Sequence, residues 1–249
     1  MGLITDMGGP ADEYEAVALP LQSNLNSAVF VRRSARPSRR AVLHLHELAD
    51  SLAPSDLVRW YNERGFHFYL ADVDTSGQVE PTRRRQARPQ QAPFGTLDAA
   101  CAHLKETDGI DAIILSAQGS TALTAATWCD TRPTGRPVEA LILSSPDFGR
   151  ARVRLDIGCP VLVISAAGPW RDNKRARRGQ ESVRLGQHVT WLQIDSAAQG
   201  GRPPVNPRES PGADVRPDAL PTPARRRLFD EMGRWLGAYM YGQVRDQLL

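Results

Sequence analysis

The stretch from Ala112 to Trp128, AIILSAQGSTALTAATW, is laid out to present a reactive side chain. The apolar run Ile113-Ile114-Leu115 reads as a strand, and the Ala/Leu/Thr spacing further on reads as a helix. Small residues between them form a tight turn. A strand that turns sharply into a helix lifts a nucleophilic serine clear of its neighbours, usually within the pattern G-x-S-x-G. Here the five residues are Ala117-Gln118-Gly119-Ser120-Thr121, and the central one is a glycine. Glycine has no side chain with which to attack a carbonyl carbon. Ser120 stands one position late and reaches the tip only if the turn is displaced by a residue.

Other residues in the chain could carry acid–base or binding chemistry. His44 and His46 lie two apart in the run 41–46, so on a strand they face the same side. They are either hydrogen-bonded core histidines or site residues. Glu47 follows them, either as a carboxylate near the strand's carboxyl end or as an ion-pair partner for one of the many arginines. Asp147, in SSPDFG, falls on the loop after a strand, where open parallel sheets bind ligands. A turn or cap role is the other reading of that aspartate.

The elements that must position these residues alternate along the chain. Short β-branched apolar runs are separated by longer amphipathic segments, which predicts an α/β fold with a mostly parallel sheet flanked by helices. Strands are expected at 14–21, 28–33, 41–46, 66–74, 112–116, 140–144, 160–165 and 189–195. Helices are expected at 56–64, 96–105, about 120–129 and about 226–241. Two segments rich in Pro and Arg, 78–93 and 201–224, cannot sustain a helix or a central strand and are expected as loops. Nothing marks a boundary, so residues 1–249 are expected to form a single domain.

Composition narrows the function classes. Of 249 residues, 41% are hydrophobic and 24% charged, as in an ordinary globular chain. No apolar run approaches the roughly 20 residues of a spanning helix, and the start MGLITDMGGP has no basic and apolar leader pattern. The expectation is a cytoplasmic protein with no membrane association. Cys101, Cys129 and Cys159 lack metal-type spacing and read as small buried core residues, and nothing calls for a metal or cofactor. The net charge is only +3. The arginine runs at 82–88, 171–178 and 224–227 have no interleaved aromatics, so they read as solvated faces or loops and not as a nucleic-acid site.

Across nearly its whole length the chain resembles the α/β-hydrolase superfamily, in particular an actinobacterial serine-hydrolase branch near monoacylglycerol lipases and serine aminopeptidases. The blocks that carry the resemblance, in order, include RRAVLHLHELAD, RWYNERGFHFYLADVD, LSAQGSTALTAATW, ALILSSPDF, CPVLVIS and LGQHVTWLQID. The resemblance implies a nucleophile at position 119, where Gly119 stands, preceded by Gln118 where relatives have histidine. It implies a catalytic histidine at Gln199, whose amide cannot accept and return a proton near neutral pH. Asp172 is the one acid near the expected position of the third member. The oxyanion hole, built from backbone N–H groups, is implied at Leu48 and Ser120 and survives changes of side chain. Glu47 replaces the glycine of His-Gly, after His46.

Three functions follow as expectations. One is an isomerase, a peptide epimerase that moves a proton at a carbon beside a carbonyl, with Leu48 and Ser120 holding the oxygen and Glu47 or Asp147 as candidate bases. His46, Gln118, Gly119 and Gln199 would bind the modified peptide or other small-molecule substrate. A precedent among α/β-hydrolase-like proteins without a complete triad is the epimerase of bottromycin biosynthesis, which acts on an L-aspartate of a ribosomally made, modified peptide. The alternatives are a non-catalytic binding protein and a residual serine hydrolase using Ser120.

Overall fold

The computed structural model describes residues 15–19, 27–32, 36–47, 55–73, 91–132, 137–146, 153–167, 183–186, 188–195, 220 and 222–241. The segments 78–90 and 201–219, the arginine runs at 82–88 and 171–178, and Asp172 lie outside them. Ten strands and four helices are assigned among the described residues. They are β1 (Glu15–Leu19), β2 (Ser27–Arg32), β3 (Arg40–Glu47), α1 (Ser55–Glu63), β4 (His67–Val73), α2 (Gln91–Glu106), β5 (Ala112–Gln118) and α3 (Thr121–Asp130), followed by β6 (Ala140–Ser144), β7 (Val153–Leu155), β8 (Val161–Ala167), β9 (Val183–Leu185), β10 (Val189–Asp195) and α4 (Thr222–Leu236). A π-helical turn, Gly237–Tyr241, extends α4.

Eight strands form one sheet in the order β1-β2-β4-β3-β5-β6-β8-β10. β1 and β2 are antiparallel, and β2 joins β4 antiparallel with Val29 opposite Ala71. The remaining six strands make the parallel part. Its registers include Ala41 beside His67, Leu141 beside Val161, and Val189 beside Val161 on the other flank. A parallel sheet with helices on its faces buries its strands on both sides, and the central runs obey this: residues 41–43, Ile114, Leu115 and residues 140–143 are 0% exposed.

The chain groups into two compact units, Met1–Leu115 and Ser116–Leu249. In the first, α1 buries Leu57, Val58, Trp60 and Tyr61. It ends where Gly65 takes φ +76°, with Gly65 N–H donating to Asn62 O and Phe66 N–H to Tyr61 O, both at 3.0 Å. These two bonds are the Schellman closure that a glycine after a helix permits. In the second, α3 buries Ala122, Ala125, Ala126 and Trp128, and α4 buries Leu228, Met232, Trp235 and Leu236. Trp235 Nε1 donates to Thr190 Oγ1 at 3.2 Å, pinning α4 to β10.

Three expectations need correction. Helix α2 begins at Gln91 and not at residue 96, and α4 begins at Thr222 and not at 226. Pro93 and Pro223 both fall in the first turn, where the missing N–H would have had no helical partner, so proline does not exclude the helix there. The ribbon of β7 and β9 is an addition to the expected strands; each is the tripeptide Val-Arg-Leu, too short to show a period. Cys101, Cys129 and Cys159 are buried, as expected. Among the described residues no helix is long and apolar enough to cross a membrane.

Candidate functional site

Strand β5 is buried from Ile113 to Ala117, then emerges to partial exposure at Gln118, Gly119 and Ser120. The chain reverses at Gly119, whose φ is +57°. L-residues other than glycine rarely occupy that region because Cβ meets the backbone. Ser120 has φ −66° and ψ −33°, already right-handed helix, and stands at the N-cap of α3, where its side chain makes no capping bond to the helix. Thus the left-handed tip is position 119, and Ser120 is the first residue on the helical side of it. A Cβ built on Gly119 meets no heavy atom of the described residues within 4 Å.

Thr121 holds the turn closed. Its Oγ1 accepts from Gln118 N–H at 3.1 Å and donates to Gln118 O at 2.8 Å. Gly119 N–H donates to Ser144 O at 3.0 Å, and Ala122 N–H reaches Gly119 O at 3.4 Å. The turn is therefore fastened to the carboxyl end of β6 on one side and passes into α3 on the other. The amino end of α3, with its partial positive charge, stands behind the tip.

Ser145, just beyond β6, was not singled out from the sequence. Its φ is +45°, the one positive value at a non-glycine among the described residues, and its N–H donates to Ile164 O at 2.8 Å. It precedes Pro146, a position that ordinarily favours extended backbone. Strained residues of this kind gather at functional sites. No residue type in SSPDF gives that conformation away, so sequence reading had no signal for it.

Of the residues proposed from sequence, the structure brings Gln118, Gly119 and Ser120 together on this one turn. His46 and Glu47 are the last two residues of β3, in register with Asp72 and Val73; their side chains lie outside the described part. Leu48, Asp147 and Gln199 lie outside the described residues. His44 is 5% exposed with its ring 5.8 Å from that of Phe68, which fits the core reading. The described residues around the turn, Gln118, Ser120, Thr121, Ser144 and Ser145, include no carboxylate, imidazole or thiol. Among the described residues no group of three His, Cys, Asp or Glu side chains could hold a metal ion.

No protein-family model matches the chain, and no curated protein matches it by sequence. Solved structures do match in three dimensions. A dienelactone hydrolase from Anabaena variabilis shares 12% identity at TM-score 0.58, over 91% of this chain and 97% of its own. An esterase from Pyrococcus furiosus shares 12% at 0.58, over 93% and 96%. A thermophilic esterase from Thermogutta terrifontis shares 13% at 0.59, over 90% and 92%. At such identities the likeness concerns the backbone, which here carries a six-stranded parallel sheet and a sharp turn between β5 and α3. The chain has the α/β-hydrolase fold.

Proposed function

We propose that this α/β-hydrolase-fold protein is an enzyme without a nucleophile, one that binds a peptide carbonyl at the β5–α3 turn and moves a proton on the adjacent carbon. The observation that carries the reading is Gly119: a left-handed tip at φ +57° with open space where a side chain would stand. A substrate group can occupy that space, while Gln118 offers an amide that hydrogen-bonds peptide groups without reacting with them. The positive end of α3 favours negative charge developing on a carbonyl oxygen, as in an enolate. For an L-aspartyl residue the step is loss of the Cα proton and its return from the opposite face, giving D-aspartate with no other bond changed. The substrate's own carboxylate can act as the proton carrier. The reaction class is thus peptide epimerisation, on a modified peptide of ribosomal origin.

A second reading is favoured by the residue types at the turn. With no titratable side chain among its described neighbours, the turn also suits a binding protein that holds such a peptide without changing it.

Incubation with a bottromycin-type modified peptide in D₂O separates the two. The enzyme reading expects one deuterium at the aspartate stereocentre, no peptide bond cleaved, and loss of exchange in Gly119→Leu. Tight binding without exchange supports the binding protein. Labelling by a fluorophosphonate, abolished by Ser120→Ala, would overturn both in favour of a residual serine hydrolase.

A further inference from the structure

The β7–β9 ribbon pairs two copies of one tripeptide in parallel register: Val153 with Val183, Arg154 with Arg184, Leu155 with Leu185. Leu185 is 2% exposed and Leu155 is half-buried, whereas both arginines are exposed on the outer face. Neighbouring strands lie about 4.8 Å apart, so two guanidinium-bearing chains rise side by side. Like charges directly opposite one another on a sheet are unfavourable, and neither arginine has an ion-pair partner among the described residues.

The surrounding sequence strengthens the charge. Between Arg150 and Arg184 there are nine Arg and Lys residues against three Asp and Glu, a net +6 where the whole chain carries +3. Arg150 and Arg152 precede Arg154 at two-residue spacing, and Arg175, Arg177 and Arg178 precede Arg184. Among the described residues no third strand pairs with either edge. An open strand edge is a template for another extended chain.

We propose that this ribbon is a docking site for an extended acidic peptide, which adds as a third strand and sets an aspartate or glutamate in register with Arg154 and Arg184. Main-chain bonds to the ribbon edge supply affinity, and the carboxylate meets the guanidinium forks on the outer face. Carboxylate-bearing peptide is favoured over nucleic acid because the ribbon offers a strand edge and its tripeptides contain no aromatic ring on which bases could stack. The proposal goes beyond the reading of the β5–α3 turn and does not depend on it. The ribbon lies at the amino ends of β8 and β10, and the turn lies at the carboxyl end of β5.

The test is fluorescence anisotropy with a fluorescein-labelled peptide of alternating valine and glutamate, about eight residues long so that it exceeds a usual strand. The arms are the lysine analogue, a peptide with alternate valines replaced by proline, and a single-stranded oligonucleotide of equal charge. Expected are binding of the glutamate peptide only, and weakening by about tenfold or more in Arg154→Glu/Arg184→Glu. The proline peptide tests strand addition on the unaltered protein, so the outcome stands even if the double variant fails to fold. Equal binding of the proline peptide, preference for the oligonucleotide, or a folded double variant that binds undiminished would each overturn the proposal.

Discussion

The N–H of Gly119 donates to the carbonyl of Ser144 at 3.0 Å, and the residue after that acceptor, Ser145, shares with Gly119 a left-handed backbone. Two adjacent strand ends thus leave the sheet in a conformation that serine adopts only under constraint. Glycine takes the same conformation without strain.

Gly119 and Gly95 both have open space where an added methyl group would stand, but only Gly119 has positive φ. Replacement by alanine should therefore act in opposite directions. Gly119→Ala should cost about 1–2 kcal/mol from left-handed strain. Gly95→Ala, within α2, should gain roughly 0.5–1 kcal/mol. Urea titration of both variants checks this; equal signs would contradict the turn geometry.

Gly186 is confined in a different way. At φ +101°, a Cβ would stand 2.6 Å from Ile157 O and 3.2 Å from Ile157 N, both backbone atoms. Gly186→Ala should cost about 3 kcal/mol or more, combining strain with overpacking. Gly109→Ala, with φ +65° and nothing within 4 Å, should show the strain alone. Thermal melts of the pair should differ clearly, at roughly 2–4 °C per kcal/mol for a chain of this size.

Two buried tyrosines should respond oppositely to loss of the hydroxyl. Tyr69, 0% exposed, donates to Asp108 Oδ2 at 2.6 Å, and His103 Nε2 lies 3.8 Å from the same oxygen. Tyr69→Phe should cost about 1.5–3 kcal/mol, the range for a bond to a charged group. Tyr61, also 0% exposed, has a hydroxyl with no hydrogen-bond partner among the described residues, set among the rings of Trp60, Phe66 and Phe68. Tyr61→Phe should be neutral or stabilising by about 1 kcal/mol. Denaturant midpoints of the two variants test the contrast.

Burial also holds the Tyr61 phenol above the ordinary tyrosine range, because phenolate would lose its hydration there. The unfolded chain releases this proton from about pH 10, and the folded chain keeps it to higher pH. Unfolding is then coupled to proton release, so stability is full below pH ~10 and falls as pH rises beyond it. In Tyr61→Phe that part of the alkaline decline should disappear. An unchanged slope of stability against pH would mean that Tyr61 ionises without resistance.

What the sequence makes legible follows from how much burial each segment carries. β5, β6 and β8 are recognisable because their runs are apolar and bounded by turn residues, and Gly65 and Gly109 mark real reversals at φ +76° and +65°. The turn around Gly119 is legible because small residues crowd there. β7 and β9 are not, since an arginine occupies the middle of each tripeptide and the stabilising partner lies thirty residues away in register. Nor is the strain at Ser145 or the orphaned hydroxyl of Tyr61, because both arise from tertiary packing. The starts of α2 and α4 are hidden because proline reads as a breaker, although a first turn tolerates it.

Helix α3 also acts as a ruler. It begins at the Gly119 turn and ends at Asp130, whose Oδ1 accepts from Asp156 N–H, the residue after β7, at 2.6 Å. Ten residues of helix set these two ends about 15 Å apart, the reach of roughly five extended residues. A ligand shorter than that can address one end of the helix but not both. For a peptide bound at both proposed sites, chain length would then matter as well as composition, since one long enough to engage both gains from tethering what neither contact supplies by itself.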